Sequence, residues 1–291
     1  MSIYKCNLVL AGFGKSGTSS LHAYLALHPR IVMSKVKEPH YFSVENNWKL
    51  GSDFHNSLFE SAGKNDVAYY GESSTTYCVS EVALKRIHEQ LVEPKIIFIV
   101  RDPVERVVSH YRWLYTLGLE KRPILEALEK DGFGFDPNRS VEGNYMSYLQ
   151  ASSYSQYIPQ WQEKFGENNV LVLFTDELGK NPNSVLNRCF DILGLGSIGD
   201  VAEIKENRTE SSSRVEQSPL AKVVTEYVPQ VVRNGMKKIP LATKIWTTAT
   251  QYEVIIKPPQ VSTEEVVKIS NMLLDETAYY SKLRKNYSLF D

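Results

Sequence analysis

Residues 14–20 gather an ammonium, Lys15, with the hydroxyls of Ser16, Thr18, Ser19 and Ser20 around Gly14 and Gly17. One full positive charge, several hydroxyl donors and backbone left accessible by glycine are the groups that grip a dense oxyanion. The apolar run before them predicts a short buried strand, and residues 21–27 after them predict a helix with Leu21, Tyr24 and Leu25 on one side. Strand, glycine turn and helix N-terminus together form an anion site, because free N–H groups and the positive end of the helix dipole meet there. The run Gly12-Phe13-Gly14-Lys15-Ser16-Gly17 also fits the dinucleotide pattern GxGxxG. Gly14-Lys15-Ser16 fits the end of a nucleoside-triphosphate loop, although Val9 stands where that loop needs a glycine. On this stretch alone an NAD-dependent oxidoreductase, a P-loop kinase and a non-catalytic nucleotide-binding protein all stay open.

A second cluster follows the clearest buried strand of the chain, residues 95–100. Arg101 stands at its end, Asp102 can cap and Pro103 can start the helix that follows, and Ser109 lies eight residues beyond Arg101. A guanidinium and a hydroxyl at a strand-to-helix turn suit a phosphate on a ribose. The plainer alternative is an arginine paired with Asp102 or with a helix end. Two anion sites at neighbouring strand ends imply a ligand with phosphates at both ends of a nucleoside. Between them in sequence, residues 35–42 hold Lys37, Glu38 and His40 with two aromatics, and Glu72 precedes a hydroxyl-rich turn. These are the candidates for moving a proton.

Strands must position these groups. Runs at 31–33, 67–72, 95–100 and 170–174 alternate with helical stretches at 81–90, 104–117, 154–165 and 183–193. Nearly all-apolar strands alternating with helices predict an α/β fold: a single-domain, P-loop-type parallel β-sheet flanked by helices. Residues 118–153 read as an irregular polar flap. The core should occupy about 5–195, with a C-terminal helical cover at about 205–291 built on helices at 220–232 and 264–284. Residues 205–257 hold nine Lys or Arg against five acids. Over all 291 residues the formal net charge is −1, which offers no general attraction to nucleic acid or an anionic membrane. Cys6, Cys78 and Cys189 are too few and too scattered for a disulfide framework or a metal pattern. No leader or apolar run of about 18 residues is evident, so the expectation is a soluble, cytoplasmic enzyme without a metal.

The chain resembles the sulfotransferases that use 3′-phosphoadenosine-5′-phosphosulfate (PAPS), in particular the branch of heparan sulfate sulfotransferase domains and bacterial relatives. Residues 15–21 resemble that family's 5′-phosphosulfate loop. Residues 99–103 through Ser109-His110-Tyr111 resemble its 3′-phosphate element, and 37–42 its catalytic-base segment. Residues 71–77 and 161–178 match further. The resemblance implies transfer of a sulfuryl group from PAPS to a hydroxyl or amino group of a small metabolite or saccharide, giving a sulfate ester and PAP. It implies that Lys15 holds the 5′-phosphate and the bridging oxygen, that Ser16, Gly17, Thr18, Ser19 and Ser20 complete the loop, and that Arg101 and Ser109 hold the 3′-phosphate. Glu38 matches the branch's general base, and His40 is the rival, since another branch uses a histidine. The chain departs from the branch in lacking a membrane anchor and a cysteine-bracketed C-terminal loop, for which Arg208 or Arg214 would substitute. Several aromatics between Tyr111 and Tyr157 are candidates to line the acceptor.

Overall fold

The computed structural model describes residues 3–61, 63–131, 134–202, 212–217 and 251–290, with backbone alone for 212–217 and 251–256. Its strands are β1 (Leu8–Gly12), β2 (Ile31–Met33), β3 (Tyr69–Ser73), β4 (Lys95–Val100), β5 (Val170–Phe174), β6 (Ser212–Gln217) and β7 (Gln251–Ile256). The helices before β5 are α1 (Thr18–Ala26), α2 (Glu45–Trp48), α3 (Gly51–Ser57), α4 (Glu81–Gln90), α5 (Pro103–Thr116), α6 (Ile124–Glu129), α7 (Val141–Asn144) and α8 (Tyr154–Phe165). After it come α9 (Thr175–Lys180), α10 (Pro182–Ile192), α11 (Thr263–Met272) and α12 (Leu274–Tyr287).

Strands β1 to β5 form one parallel sheet in the order β2-β3-β1-β4-β5. The order bears on function. In the doubly wound dinucleotide fold the second strand lies beside the first, whereas here β1 is flanked by β3 and β4. The GxGxxG run therefore sits in a different topology from the one that pattern serves, and the dinucleotide expectation is corrected on that ground.

Side chains alternate across the sheet with the two-residue period of a strand. Val9, Ile96, Phe98, Val172 and Phe174 enter the core under α4, α8 and α12, while Leu8, Leu10, Ile97, Ile99 and Leu173 enter the core under α1 and α10. Both faces being covered explains why each strand reads as an unbroken apolar run. The three cysteines are free and buried. Ser80 caps α4 by accepting from the Ala83 N–H, a contribution of about 1 kcal/mol. Asp102 Oδ1 likewise accepts from the Glu105 N–H at 3.0 Å, fixing how α5 leaves the end of β4.

Two expectations are corrected. The polar stretch read as a flap carries α6 and α7 and buries Ile124, Leu128 and Tyr148. The last predicted helix is two, α11 and α12, divided at Leu273, and Tyr280 and Leu283 of α12 enter the core. The expected helix at 220–232 lies outside the described residues. The chain divides into two compact units: Met1–Tyr111 with Arg122–Asn207 and Val261–Asp291, and Arg112–Lys121 with Arg208–Gln260. The second includes β6 and β7, paired antiparallel with Arg214 opposite Val254.

Candidate active site

The five parallel strands end at one edge of the sheet, and the candidate side chains lie just beyond these ends. Beyond β1 the chain turns through Gly14, Lys15 and Ser16 into Gly17, which takes a left-handed conformation (φ 93°) at the start of α1. Gly17 has no side chain to offer and no other side chain caps the helix, so the first-turn N–H groups of α1 are left for an external acceptor. Thr18 is buried, with Ser19 and Ser20 half-buried beside it. The Ser16 hydroxyl is buried without a hydrogen-bond partner among the described residues. Gly12 is required by close approach: a Cβ there would lie 2.8 Å from both Cβ and Sγ of Cys78.

Lys15 adopts φ 68°, costly for a residue with a side chain. Its ammonium titrates at about 8, well below the usual lysine value of 10.5, chiefly because it is buried and further because Arg101 and Lys37 are near enough to repel it. Three cations from three strand ends thus act on one another, an arrangement that an anion relieves. Arg101 is half-exposed at the end of β4, where its Nε bonds to Glu105 Oε2 at 3.0 Å. Ser109 is half-buried two turns along α5. Arg208 lies outside the described residues, as does the Arg214 side chain.

The segment carrying Glu38 docks on the end of β3. Its backbone donates to the Ser73 carbonyl at 2.9 Å, and its carboxylate receives three donors. Lys37 Nζ bonds Oε1 at 2.6 Å, while the N–H and Oγ1 of Thr75 bond Oε2 at 2.7 and 3.0 Å. Thr75 also faces the phosphate loop, since a Cβ placed on Gly14 would be 3.7 Å from its Oγ1. One threonine therefore separates the carboxylate from the loop. His40 Nε2 lies 3.7 Å from Glu38 Oε2; the ring is buried, 5% exposed, with Nδ1 bonded to Thr76 Oγ1 at 2.8 Å and Nε2 to the Tyr145 hydroxyl at 3.1 Å. Whichever tautomer it holds, both ring nitrogens are engaged. Burial, opposed by Glu38 and Glu72, keeps its pKa below the ordinary histidine value. Glu38 and His40 also take left-handed φ, 60° and 49°.

Glu72 does not reach the cleft. It is fully buried, with His55 Nε2 and the Tyr77 hydroxyl each 3.0 Å from its oxygens. Cys6, His55 and Glu72 bring donor atoms within 4.8 Å of one another, but both Glu72 oxygens are already used within the core. The aromatics expected to line an acceptor are mostly core as well: Tyr111, Tyr148, Tyr154 and Tyr157 are buried, and the Tyr145 hydroxyl bonds His40.

The residues that sequence reasoning left without a role are those that hold the site together. Thr75 fixes Glu38. Thr175, just beyond β5, donates to the Ser16 carbonyl at 2.6 Å and the Val100 carbonyl at 3.0 Å. His22 of α1 bonds Ser73 Oγ at 2.7 Å, with its pKa pushed down to about 4 by burial and then by Lys37. Arg106 and His110, four apart on α5, are both buried, the spacing that places two side chains on one helix face.

Comparison with known proteins adds the following. The profile of the sulfotransferase domain family matches residues 5–250. The chain is 28% identical over 190 residues to heparan sulfate glucosamine 3-O-sulfotransferase 3B1 of Mus musculus, covering 65% of this chain and 46% of that protein. It is 28% identical over 189 residues to heparan sulfate glucosamine 3-O-sulfotransferase 6 of Homo sapiens, covering 64% and 52%. It thus spans about half the length of these curated relatives. Among solved structures, a sulfotransferase from Alicyclobacillus acidocaldarius superposes with a TM-score of 0.59 at 24% identity, over 78% of this chain and 93% of that one, a likeness of fold.

Proposed function

The chain belongs to the sulfotransferase domain family, and from that membership we propose that it moves the sulfuryl group of PAPS to a hydroxyl or amino group of a saccharide or small hydroxylated molecule, releasing PAP. The names of the heparan sulfate relatives favour a saccharide hydroxyl. The strand order does not favour the dinucleotide alternative, and the family match favours neither it nor the kinase.

The observation that carries the reading is the spacing of Glu38 from the phosphate loop, one threonine away. Sulfuryl transfer needs an acceptor aligned with the breaking bond, charge stabilised on the leaving oxygen, and a base for the acceptor proton. In the proposed step the acceptor oxygen bonds to sulfur as the bond from sulfur to the 5′-phosphate oxygen breaks. Glu38 takes the acceptor proton, and Lys15, with the N–H groups at the start of α1, meets the charge left on the phosphate. Arg101 and Ser109 hold the 3′-phosphate, Arg101 exchanging Glu105 for it. Ser16, Gly17, Thr18, Ser19 and Ser20 complete the 5′ cradle. His40 is a brace rather than the base, because both its ring nitrogens are engaged within the protein and it is buried, whereas Glu38 stays half-exposed. Among the described residues no helix is long and apolar enough to cross a membrane.

Steady-state turnover of Glu38→Gln, with PAP affinity measured alongside, tests this. Turnover should fall about 10²–10⁴-fold, the usual contribution of a positioned base, with PAP binding retained. Near-normal turnover would show that the base lies elsewhere.

A further inference from the structure

Arg106 is fully buried behind the phosphate loop. Its guanidinium donates through Nε to Ser152 Oγ at 2.5 Å and through Nη2 to the Tyr148 carbonyl. Through Nη1 it reaches the Gly14 carbonyl and His110 Nδ1, each at 3.4 Å. None of these partners is charged: His110 is kept neutral, its pKa pushed down to about 3 by burial and then by Arg106 itself. Since Arg106 can only donate, His110 Nδ1 accepts and its Nε2 donates to the Tyr145 carbonyl at 2.7 Å. Asp131, the carboxylate whose charge Arg106 feels, binds the Leu149 N–H instead and forms no ion pair with it. A buried cation with neutral partners is expensive unless an anion compensates it.

The bond to Gly14 has a geometric consequence. A peptide unit is planar, and in the trans form its C=O and N–H point in opposite directions. Drawing the Gly14 carbonyl towards Arg106 therefore turns the Lys15 N–H the other way, and the bond from Thr175 to the Ser16 carbonyl does the same for the Gly17 N–H. Two carbonyls of the loop are pulled inwards, so two N–H groups are presented outwards. The same turn holds left-handed backbone at Lys15 and Gly17.

We propose that Arg106 and Thr175 are positioning residues for the sulfuryl donor, pinning the Gly14 and Ser16 carbonyls from behind so that the Lys15 and Gly17 N–H groups face the donor's 5′-phosphate. Arg106 adds a positive charge beneath the same phosphate. Neither residue touches the donor. This rests on residues 14–20 holding the 5′ end, and the test separates the two claims.

Calorimetric affinities for PAP and for adenosine 3′-phosphate, which lacks the 5′-phosphate, are compared across Thr175→Val, Arg106→Lys, Arg106→Gln and Lys15→Ala. Thr175→Val keeps the side-chain shape and should weaken PAP about three- to tenfold, the value of one hydrogen bond. Arg106→Gln should weaken PAP about tenfold or more, with Arg106→Lys in between because it keeps the charge without the fork. Adenosine 3′-phosphate should change less than about twofold in all of them, a selectivity that general loosening of the fold would not produce. If Lys15→Ala weakens both ligands alike, the loop does not hold the 5′ end and the underlying reading fails. If Lys15→Ala weakens PAP alone while the Thr175 and Arg106 variants leave PAP unchanged, the positioning role is refuted. Should Arg106→Gln fail to fold, Thr175→Val decides.

Discussion

Lys15 offers the sharpest quantitative test, because its proton and the donor's anion each favour the other's binding. A lysine that ordinarily titrates at 10.5 and here titrates at about 8 carries about 3 kcal/mol of unfavourable charging free energy. Burial supplies most of it, and Arg101 and Lys37 supply the rest. A bound phosphate reverses the sign of the local potential and raises the lysine's pKa, so PAP binding takes up protons above pH 8. If the protonated form alone binds well, the apparent Kd scales with one plus the ratio of neutral to charged lysine. Between pH 7 and pH 9 that factor grows about tenfold, whereas an ordinary lysine would change it by only about 3%. The phosphates of PAP are already ionised above pH 7 (second pKa about 6), so they add little to the slope. Titration calorimetry at pH 7, 8 and 9 in two buffers of different ionisation enthalpy reads both the affinity and the proton uptake. Lys15→Ala should bind PAP weakly with a flat pH dependence. The ligand-free protein supplies an independent sign check. The folded state holds Lys15 below its unfolded pKa, so the unfolded chain binds more protons between about pH 8 and 10.5, and stability should rise with pH across that window. An affinity that stays level from pH 7 to 9, or the same slope in Lys15→Ala, refutes the assignment of the depressed pKa to the donor site.

Two more outcomes follow from named contacts. Thr75→Val removes the Oγ1 donor to Glu38 but keeps the backbone one, so kcat should drop about tenfold, the worth of one bond to a charged acceptor, with the Kd for PAP unchanged; a matching loss in PAP affinity would show Thr75 serving the loop instead. Glu105→Gln releases Arg101 from an exposed pair worth under about 1 kcal/mol, so PAP should bind about two- to fivefold tighter with little change in Tm, while Arg101→Ala weakens it about tenfold or more; weaker binding in Glu105→Gln would mean that the pair orients Arg101 for its ligand.

What the sequence shows directly is what short-range physics decides. The bounds of β2, β4, α4 and α8 are those read from the chain, because unbroken apolar runs, a 3.6-residue apolar period and Ser80 as a cap are all local signals. The glycine turn from β1 into α1 is legible for the same reason. Residues 118–153 were misread because their helices are short and their burial comes from elsewhere: Tyr148 is enclosed through the carbonyl that Arg106 holds, and Leu149 through its N–H on Asp131. Arg106 itself looks like one more helix cation until residues 14, 110, 148 and 152 are brought round it.

The placement of strain separates the two proton-transfer candidates from ordinary loop residues. Five described non-glycine residues take positive φ: Asp66 and Glu93 lie just before the starts of β3 and β4, and Lys15, Glu38 and His40 follow the ends of β1 and β2. A conformation that costs on the order of 1–3 kcal/mol persists only where neighbouring contacts over-determine it. For Glu38 these are the backbone bond to Ser73 and the three donors on its carboxylate; for His40 they are the N–H bond to Ser74 Oγ and the two ring contacts. A base that must meet an acceptor in line with a breaking bond gains from being held this firmly, since misplacement by about 1 Å can cost a hundredfold. The contacts on His40 engage both ring nitrogens of a buried side chain, whereas the Glu38 carboxylate, with its three donors, stays half-exposed. On the proposed reading this rigidity serves the Glu38 carboxylate, with His40 Nε2 3.7 Å from its Oε2.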